Sequence, residues 1–256
     1  MGIRDSLYFI YDNIKSTDMK LLNVNVNSGM MEEIFLSNKT INETKIRGGK
    51  TYFQGIEYEN LSFPLSFAFS ETYDNDLIRN IARWLSPDYY KALQFSDNLN
   101  RIFYAIPVDD SKLIHAGLKE GYLTLNIRCN TYHAYSPVYT SQIYDLSTNP
   151  TSTNIQFVNG GDLSIFPIIH IQKVGAGDIS IYNQSNANNV LTFTGLADNE
   201  EVTIDCENKI ITSSLSGIYR YLAHNGYYME MLRGVNNLSI VGTAKIKFVW
   251  ECKLLQ

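Results

Sequence analysis

At 256 residues, with 45% hydrophobic residues, the chain is long enough to bury one large β core or two ordinary ones. Its formal net charge of -5, with no run of five Lys or Arg, excludes a general nucleic-acid or anionic-membrane binder, because both need a basic footprint. Charged residues make up only 18%, and the shortfall is filled by Asn, Ser, Thr and 18 Tyr, a surface chemistry suited to β-sheet and hydrogen-bonded protein interfaces.

The chain opens on charges at Arg4, Asp5 and Asp12, and its first apolar run is too short for a signal peptide. No stretch approaches the ~18 consecutive apolar residues of a membrane span. Residues 6–15 and 19–26 read as an opening pair of strands with a polar turn at Ser16-Thr17; Leu22, Val24 and Val26 alternate with Asn23 and Asn25. Residues 28–50 are mostly polar and end in Arg47-Gly48-Gly49-Lys50, and Gly-Gly between strand-like segments marks a hairpin tip. A long exposed hairpin or arm is therefore expected from about Ile34 to Tyr58. Its aromatic base, Tyr52, Phe53 and Tyr58, cannot bury itself, which points to a neighbouring subunit. Arg47, Lys50, Tyr52, Phe53 and Tyr58 are the candidate interface residues.

Residues 61–69 alternate, with Leu61, Phe63, Leu65, Phe67 and Phe69 on one face and Pro64 on the other, as on an edge or at a bulge. One strong helix follows. Asp74 is a fit N-cap, Asp76 lies in the first turn, and Leu77, Ile78, Ile81, Trp84 and Leu85 recur at three-four spacing until Pro87. Residues 92–95 and 101–108 form a second hairpin, and an acidic turn at Asp109-Asp110 leads towards Gly121. In the strand from Gly121, Leu123, Leu125, Ile127 and Cys129 face inward, and Tyr122, Thr124, Asn126 and Arg128 outward. Asn130-Thr131 breaks that pattern, and Ser136-Pro137 stops any continuation. This organisation gives an N-terminal domain over 1–137, mixed α+β with one helix on a mostly antiparallel sheet, and a Ser/Thr/Asn/Pro-rich linker over 138–154.

From 155 to 256 short strands come at roughly ten-residue spacing, as in a β-sandwich. They cover 155–158, 163–172, 178–182, 189–193, 201–206, 209–213, 227–232, 237–241 and 244–253. In the last, Ala244, Ile246, Phe248, Trp250 and Cys252 point inward. Asp205–Lys209 and Gly234–Asn237 supply turn residues.

A search for chemistry returns nothing catalytic. No phosphate-binding loop, dinucleotide fingerprint, HExxH or GxSxG is present. His115, His133, His170 and His224 fall in different elements without ligand spacing, and His170 reads as a hydrogen-bonded sheet histidine. The pairs Asp109-Asp110 and Glu200-Glu201 read as solvated turns, since adjacent carboxylates point apart. Cys129, Cys206 and Cys252 lie far apart without CxxC spacing, as buried free thiols of a reducing compartment would. Tyr219, Tyr221, Tyr227 and Tyr228 suit sheet packing at strand spacing; the competing use is a sugar-stacking platform, with the Asn183–Asn189 loop beside it. No cofactor and no metal are expected.

Four segments carry a resemblance: RGGKTYFQGIEYENLSFPLSFAF at 47–69; the helix with QFSDNLNRIFYAIP at 94–107; LTLNIRCNTYHAYSP at 123–137; and VTIDCENKIIT at 202–212 with YYMEMLRGVNNLSIVG at 227–242. Together and in this order they resemble the distal tail proteins of long-tailed bacteriophages. Arg233 stands where that pattern often has Pro. The resemblance implies a mainly β fold. Its N-terminal domain is an antiparallel sheet or split barrel with one helix and a protruding hairpin arm, followed by a galectin-like β-sandwich. It implies a structural virion protein at the tail tip, made in the host cytoplasm, that forms a homo-hexameric ring with arms bracing neighbours. Partners would be the tail tube protein, a hub or fibre protein, and a receptor-binding protein or other baseplate components. Viral DNA would pass through the lumen without specific binding, and no membrane is involved. The alternative is a carbohydrate-binding adhesion module.

Overall fold

The computed structural model describes residues 7–23, 37–115, 120–149 and 151–255. The chain divides into two compact units, Met1–Tyr135 with Leu255–Gln256, and Ser136–Leu254.

The first unit is built on an antiparallel sheet. Its neighbours run Ile14–Lys15, Phe9–Tyr11, Lys91–Phe95, Asn98–His115, Gly121–Cys129, Ser62–Phe69, Leu21–Asn23. The opening differs from the sequence expectation. The turn falls at Asp12-Asn13, both at positive φ (49° and 63°), the backbone a two-residue hairpin needs and one that short polar side chains tolerate. A single 3-10 turn at Ser16–Met19 then sends Leu21–Asn23 to the opposite edge, where it pairs with 67–69 instead of with the first strand. Residues 24–26 of the expected second strand lie outside the described residues.

Asp74 caps the helix Asn75–Trp84, its Oδ1 accepting the Leu77 N–H at 2.8 Å. Ile81, Trp84 and Leu85 are buried. Trp84 stacks on Phe9 (centroids 5.6 Å apart), and its Nε1–H donates to the Tyr11 carbonyl at 2.9 Å. Phe9 in turn stacks on Phe67 at 4.6 Å, which fastens helix to sheet. The alternation from Gly121 to Cys129 holds: Leu125, Ile127 and Cys129 are buried. Asp109-Asp110 is not a turn. The strand Asn98–His115 runs through it, and a bulge between Val108 and Lys112, with Asp109 at φ 61°, absorbs the polar residues.

The second unit is a two-sheet sandwich. One sheet orders Tyr139–Thr140, Ala244–Trp250, Ile168–Lys173, Glu201–Asp205 and Ile210–Ser213, with Tyr144–Asp145 also on Ala244–Trp250. The other orders Thr153–Asn159, Gly234–Val241, Gly177–Asn183 and Asn189–Leu196. Part of the stretch read as a solvated linker thus lies as edge strands, because Tyr139 and Tyr144 pack on Trp250 and Phe248. The core between the sheets includes Phe157, Ile169, Ile181, Phe193, Ile246 and Phe248.

Two further expectations are corrected here. Tyr227–Leu232 is not a strand; it carries one isolated bridge, Met231 to Ile165. The expected turn at Gly234–Asn237 is strand interior, and Asn236 is fully buried. Its Oδ1 accepts from the Leu232 N–H (2.9 Å) and Asn183 Nδ2 (3.0 Å), and its Nδ2 donates to the Leu232 carbonyl (2.7 Å). Asn159 Nδ2 donates to the Leu163 carbonyl at 2.8 Å, and Asn183 Nδ2 to the Glu230 carbonyl at 3.0 Å. Buried amides therefore supply bonds that a strand ladder would otherwise make.

Candidate subunit interface

Lys39–Lys45 and Thr51–Tyr58 form a two-stranded antiparallel ribbon that pairs with no other strand among the described residues. The part of the expected arm at 34–36 lies outside the described residues. At the tip the Gly49 N–H donates to the Ile46 carbonyl at 2.9 Å, closing a β-turn. Gly48 has φ +75°, which the third position of such a turn requires and which disfavours any side chain. Arg47 and Lys50 sit at this tip, exposed; with Lys45 they make no salt bridge among the described residues.

The base is tied down. Tyr58 stacks on Tyr132 with centroids 4.3 Å apart, Ser37 Oγ donates to the Tyr132 carbonyl at 2.8 Å, and the Glu59 N–H donates to the Asn38 carbonyl at 2.9 Å. Burial, then the neighbouring Tyr58, raises the Tyr132 phenol above its ordinary pKa.

The register decides what each face presents. Ile41 pairs with Ile56 and Asn42 with Gly55, but Glu43 pairs with Phe53, so Gln54 is an extra residue in a bulge. Past the bulge the alternation reverses. One face carries Ile41, Phe53, Ile56 and Tyr58, interleaved with Lys39, Glu43, Lys45 and Thr51; the other carries Thr40, Asn42, Thr44, Tyr52 and Glu57. The polar face satisfies itself: Asn42 Nδ2 donates to Glu57 Oε1 at 2.9 Å, and Gln54 Nε2 to Thr44 Oγ1 at 2.5 Å. The apolar face is open, with Ile41 53%, Phe53 64%, Ile56 38% and Tyr58 46% exposed. The five residues singled out in the sequence thus fall in three places: Arg47 and Lys50 at the tip, Phe53 and Tyr58 on the apolar face, Tyr52 on the polar one. Ile41 and Ile56 were missed; a spacing of two from Tyr58 marks Ile56, but the bulge hides its pairing with Phe53.

The other groups weighed for chemistry have structural surroundings. Glu200 is buried against Arg220 in a two-pronged pair (Nε to Oε1 2.7 Å, Nη2 to Oε2 2.5 Å) and also accepts from Ser213 Oγ and the Ala197 N–H. Burial pushes its carboxyl up, but the guanidinium and these donors together hold it below the usual carboxylate range. His170 Nδ1 lies 3.0 Å from Thr203 Oγ1 on the outer sheet face. Burial raises the Cys129 and Cys206 thiols to about 12, which leaves them unreactive. No group of three His, Cys, Asp or Glu among the described residues could hold a metal ion. Tyr219 and Tyr221 are not on a sheet. They flank and enter a 3-10 turn, Arg220–Ala223, in an exposed loop with Leu215, Ile218 and a fully exposed Leu222.

Comparison with known proteins places this geometry. Residues 4–131 match a family model described as a phage tail protein N-terminal domain, and residues 137–250 one described as a phage tail C-terminal domain. The SPbeta prophage-derived uncharacterized protein YomH of Bacillus subtilis (strain 168) is 35% identical over 254 residues, which is 99% of this chain and 100% of that one. Among solved structures, the SPP1 Dit protein, described as a paradigm of hub adsorption apparatus in phages infecting Gram-positive bacteria, aligns with a TM-score of 0.71 at 14% identity. That match covers 95% of this chain and 98% of the SPP1 protein. A chain of the phage P2 baseplate in its Ca-activated conformation aligns with a TM-score of 0.51 at 9% identity, over 94% and 97% of the two chains.

Proposed function

The chain belongs to the phage tail protein family whose two domain models it matches over 4–131 and 137–250, and from that premise we propose that it is the distal tail subunit whose copies close a hexameric ring between tail tube and tail-tip hub. The family gives it a structural role in the phage tail, and the fold is that of Dit proteins. The observation that carries the finer reading is the self-paired ribbon at 39–58, which leaves Ile41, Phe53 and Ile56 exposed beyond the Tyr58–Tyr132 stack at its base. A ring needs a surface on each copy that fits a different surface on the next, and a protruding ribbon is such a surface.

In this reading the N-terminal domain, 1–137, forms the ring, and the C-terminal sandwich from 155 onward faces baseplate partners such as a receptor-binding protein. The exposed loop at 215–222, held by the buried Glu200–Arg220 pair, is the natural mount on that sandwich, because a fixed loop loses little entropy on docking. A net charge of -5 suits a lumen through which DNA slides without specific binding. No catalysis and no cofactor enter the role. Of the Asn183–Asn189 loop that the sugar-binding alternative would use, Asn183 is buried and bonded to Glu230 and Asn236.

Negative-stain microscopy of the purified full chain tests the proposal. Six-fold annuli are expected; monomers or two-fold dimers at every concentration refute it.

A further inference from the structure

We propose that the second unit carries a binding site for a small hydroxyl-rich ligand with one anionic group, a sugar bearing a phosphate or a carboxylate. The site lies on the outer face of the sheet built on Ile168–Lys173, with Lys245 and Lys247 at one end and Glu201 at the other. It goes beyond the structural role in the tail and does not depend on ring formation.

The strand register sets the site out. Ile169 and Ile171 are buried in the core, so His170 and Gln172 point outward from the strand between them. His170 stands opposite Thr203 on one neighbouring strand and Lys247 on the other; Gln172 stands opposite Glu201 and Lys245. These side chains form a grid of two rows, ~10 Å across three strands and ~7 Å along them, the scale of a single sugar ring. They line a cavity of about 220 Å³, to which Ile143, on the segment running beside Ala244–Trp250, adds an apolar wall.

What singles this cavity out is unused bonding capacity. His170 holds Thr203 Oγ1 through Nδ1 at 3.0 Å, which leaves Nε2 for the cavity. The side chains of Gln172, Glu201, Lys245 and Lys247 make no hydrogen bond or salt bridge among the described residues, although all but Glu201 are half-buried. Half-buried polar groups without protein partners find them in water or in a ligand. Burial and Lys247 hold the His170 ring below its ordinary pKa against the opposing pull of Glu201, so near neutral pH the ring is uncharged and serves a hydroxyl as donor or acceptor.

The placement of charge selects the ligand. Lys245 and Lys247 lie two apart on one strand, so an anionic group between them meets both ammonium groups. Asp145 faces Lys245 from the next strand, but its Oδ1 already accepts from the Ser147 N–H and hydroxyl. Glu201 and Thr203, at the far end, suit hydroxyls. A bare anion would leave Glu201 unused, and a neutral sugar would leave the lysine pair without a counter-charge. Nucleic acid needs a longer track of cations than these two.

Saturation-transfer NMR on the full chain tests the site, because it reads the ligand's own protons and tolerates any assembly state. Glucose 6-phosphate, glucuronate and glucose are the ligands, and inorganic phosphate enters as a competitor. Transfer to glucose 6-phosphate or glucuronate is expected, and the stronger of the two tells phosphate from carboxylate. H170A and K247Q, shown to be folded by thermal unfolding, should weaken that binding at least about tenfold. K112Q, on the exposed surface of the first unit, should leave it unchanged. No transfer to either charged sugar at about 10 mM overturns the proposal. So does glucose binding as well as they do, phosphate competing as well as glucose 6-phosphate, or K112Q losing as much as K247Q.

Discussion

Replacing Asn236 by Leu keeps the volume of a fully buried side chain and deletes only its amide. In the native fold that amide serves four polar groups: it accepts from the Leu232 N–H and Asn183 Nδ2 and donates to the Leu232 and Gly234 carbonyls. Asn183 Nδ2 keeps a second acceptor, the Glu230 carbonyl, but the Leu232 N–H has no other partner among the described residues. Leaving one buried donor orphaned and a second half-satisfied costs about 2–4 kcal/mol, at ~1–3 kcal/mol per group. Against a typical domain stability of roughly 5–15 kcal/mol, that loss is large.

The two Trp residues make it measurable. Trp84 lies in the first unit and Trp250 in the second, so urea unfolding followed by Trp250 emission in a W84F background reports the sandwich alone. Amide exchange adds locality: Met229 to Leu232 should lose protection first, because Met229 and Met231 are fully buried yet share only one strand bridge. Asn237→Ala, one residue on and exposed, is the control and should move the midpoint by under about 0.5 kcal/mol. A loss below about 1 kcal/mol for N236L, with exchange at 229–232 unchanged, would refute the claim that buried amides replace the missing ladder.

Trp84→Ala removes the ring between Phe9 and the helix together with the bond to the Tyr11 carbonyl, and should cost the first unit about 3–5 kcal/mol, read by amide exchange over 9–11 and 75–84. Acid should unfold the second unit in two windows. Burial, partly offset by a hydrogen bond with Tyr227, holds the His224 ring below its ordinary pKa, so the unfolded state takes up more protons there and stability falls as pH drops below about 6.5; H224F should shrink that limb, and the His170 ring, also held low by burial and by Lys247, carries the rest. The Glu200 carboxyl is held low despite its burial, so its contribution is complete above the ordinary carboxylate range and is lost only as pH falls through its depressed folded value. E200Q should abolish this second limb and, by leaving Arg220 without its partner, lower the urea midpoint at neutral pH.

Much of this was legible because the signals are local. The Asp74 cap, the Ile81/Trp84/Leu85 stripe and the Leu125/Ile127/Cys129 alternation each follow from a short periodicity, and neighbours in sequence enforce them. The misread segments share a different cause. Asp109-Asp110 and Gly234–Asn237 are rich in turn-forming residues, yet both lie within strands, because a bulge absorbs the first and tertiary amide bonds claim the second. Tyr227–Leu232 has the alternation of a strand without ladder partners on either side. Composition misled in the same way: Asn looked like surface, but Asn159, Asn183 and Asn236 are interior. Of the site, the arm and its tip were readable from the Gly-Gly turn. Its working face was not, since strict alternation puts Tyr52, Ile56 and Tyr58 together and sets Phe53 opposite; only the pairing of Glu43 with Phe53 reverses this.

That reversal bears on why the ribbon persists. A lone two-stranded hairpin is marginal in water, and the bonds on its polar face add about half a kcal/mol each. What holds it is the base, where Tyr58 stacks on Tyr132 and Ser37 and Asn38 bond across to 132 and 59. The same Tyr58 is the first member of the apolar face, so the anchored end and the contact face are one continuous stripe running outward through Ile56 and Ile41 to Phe53. A neighbour that covers the stripe therefore also stiffens the ribbon from its fixed end, and assembly supplies the third layer that two strands lack. Were copies to close the proposed ring through this stripe, folding of the arm and ring closure would be one coupled equilibrium, with the Gln54 bulge setting which side of the arm takes part.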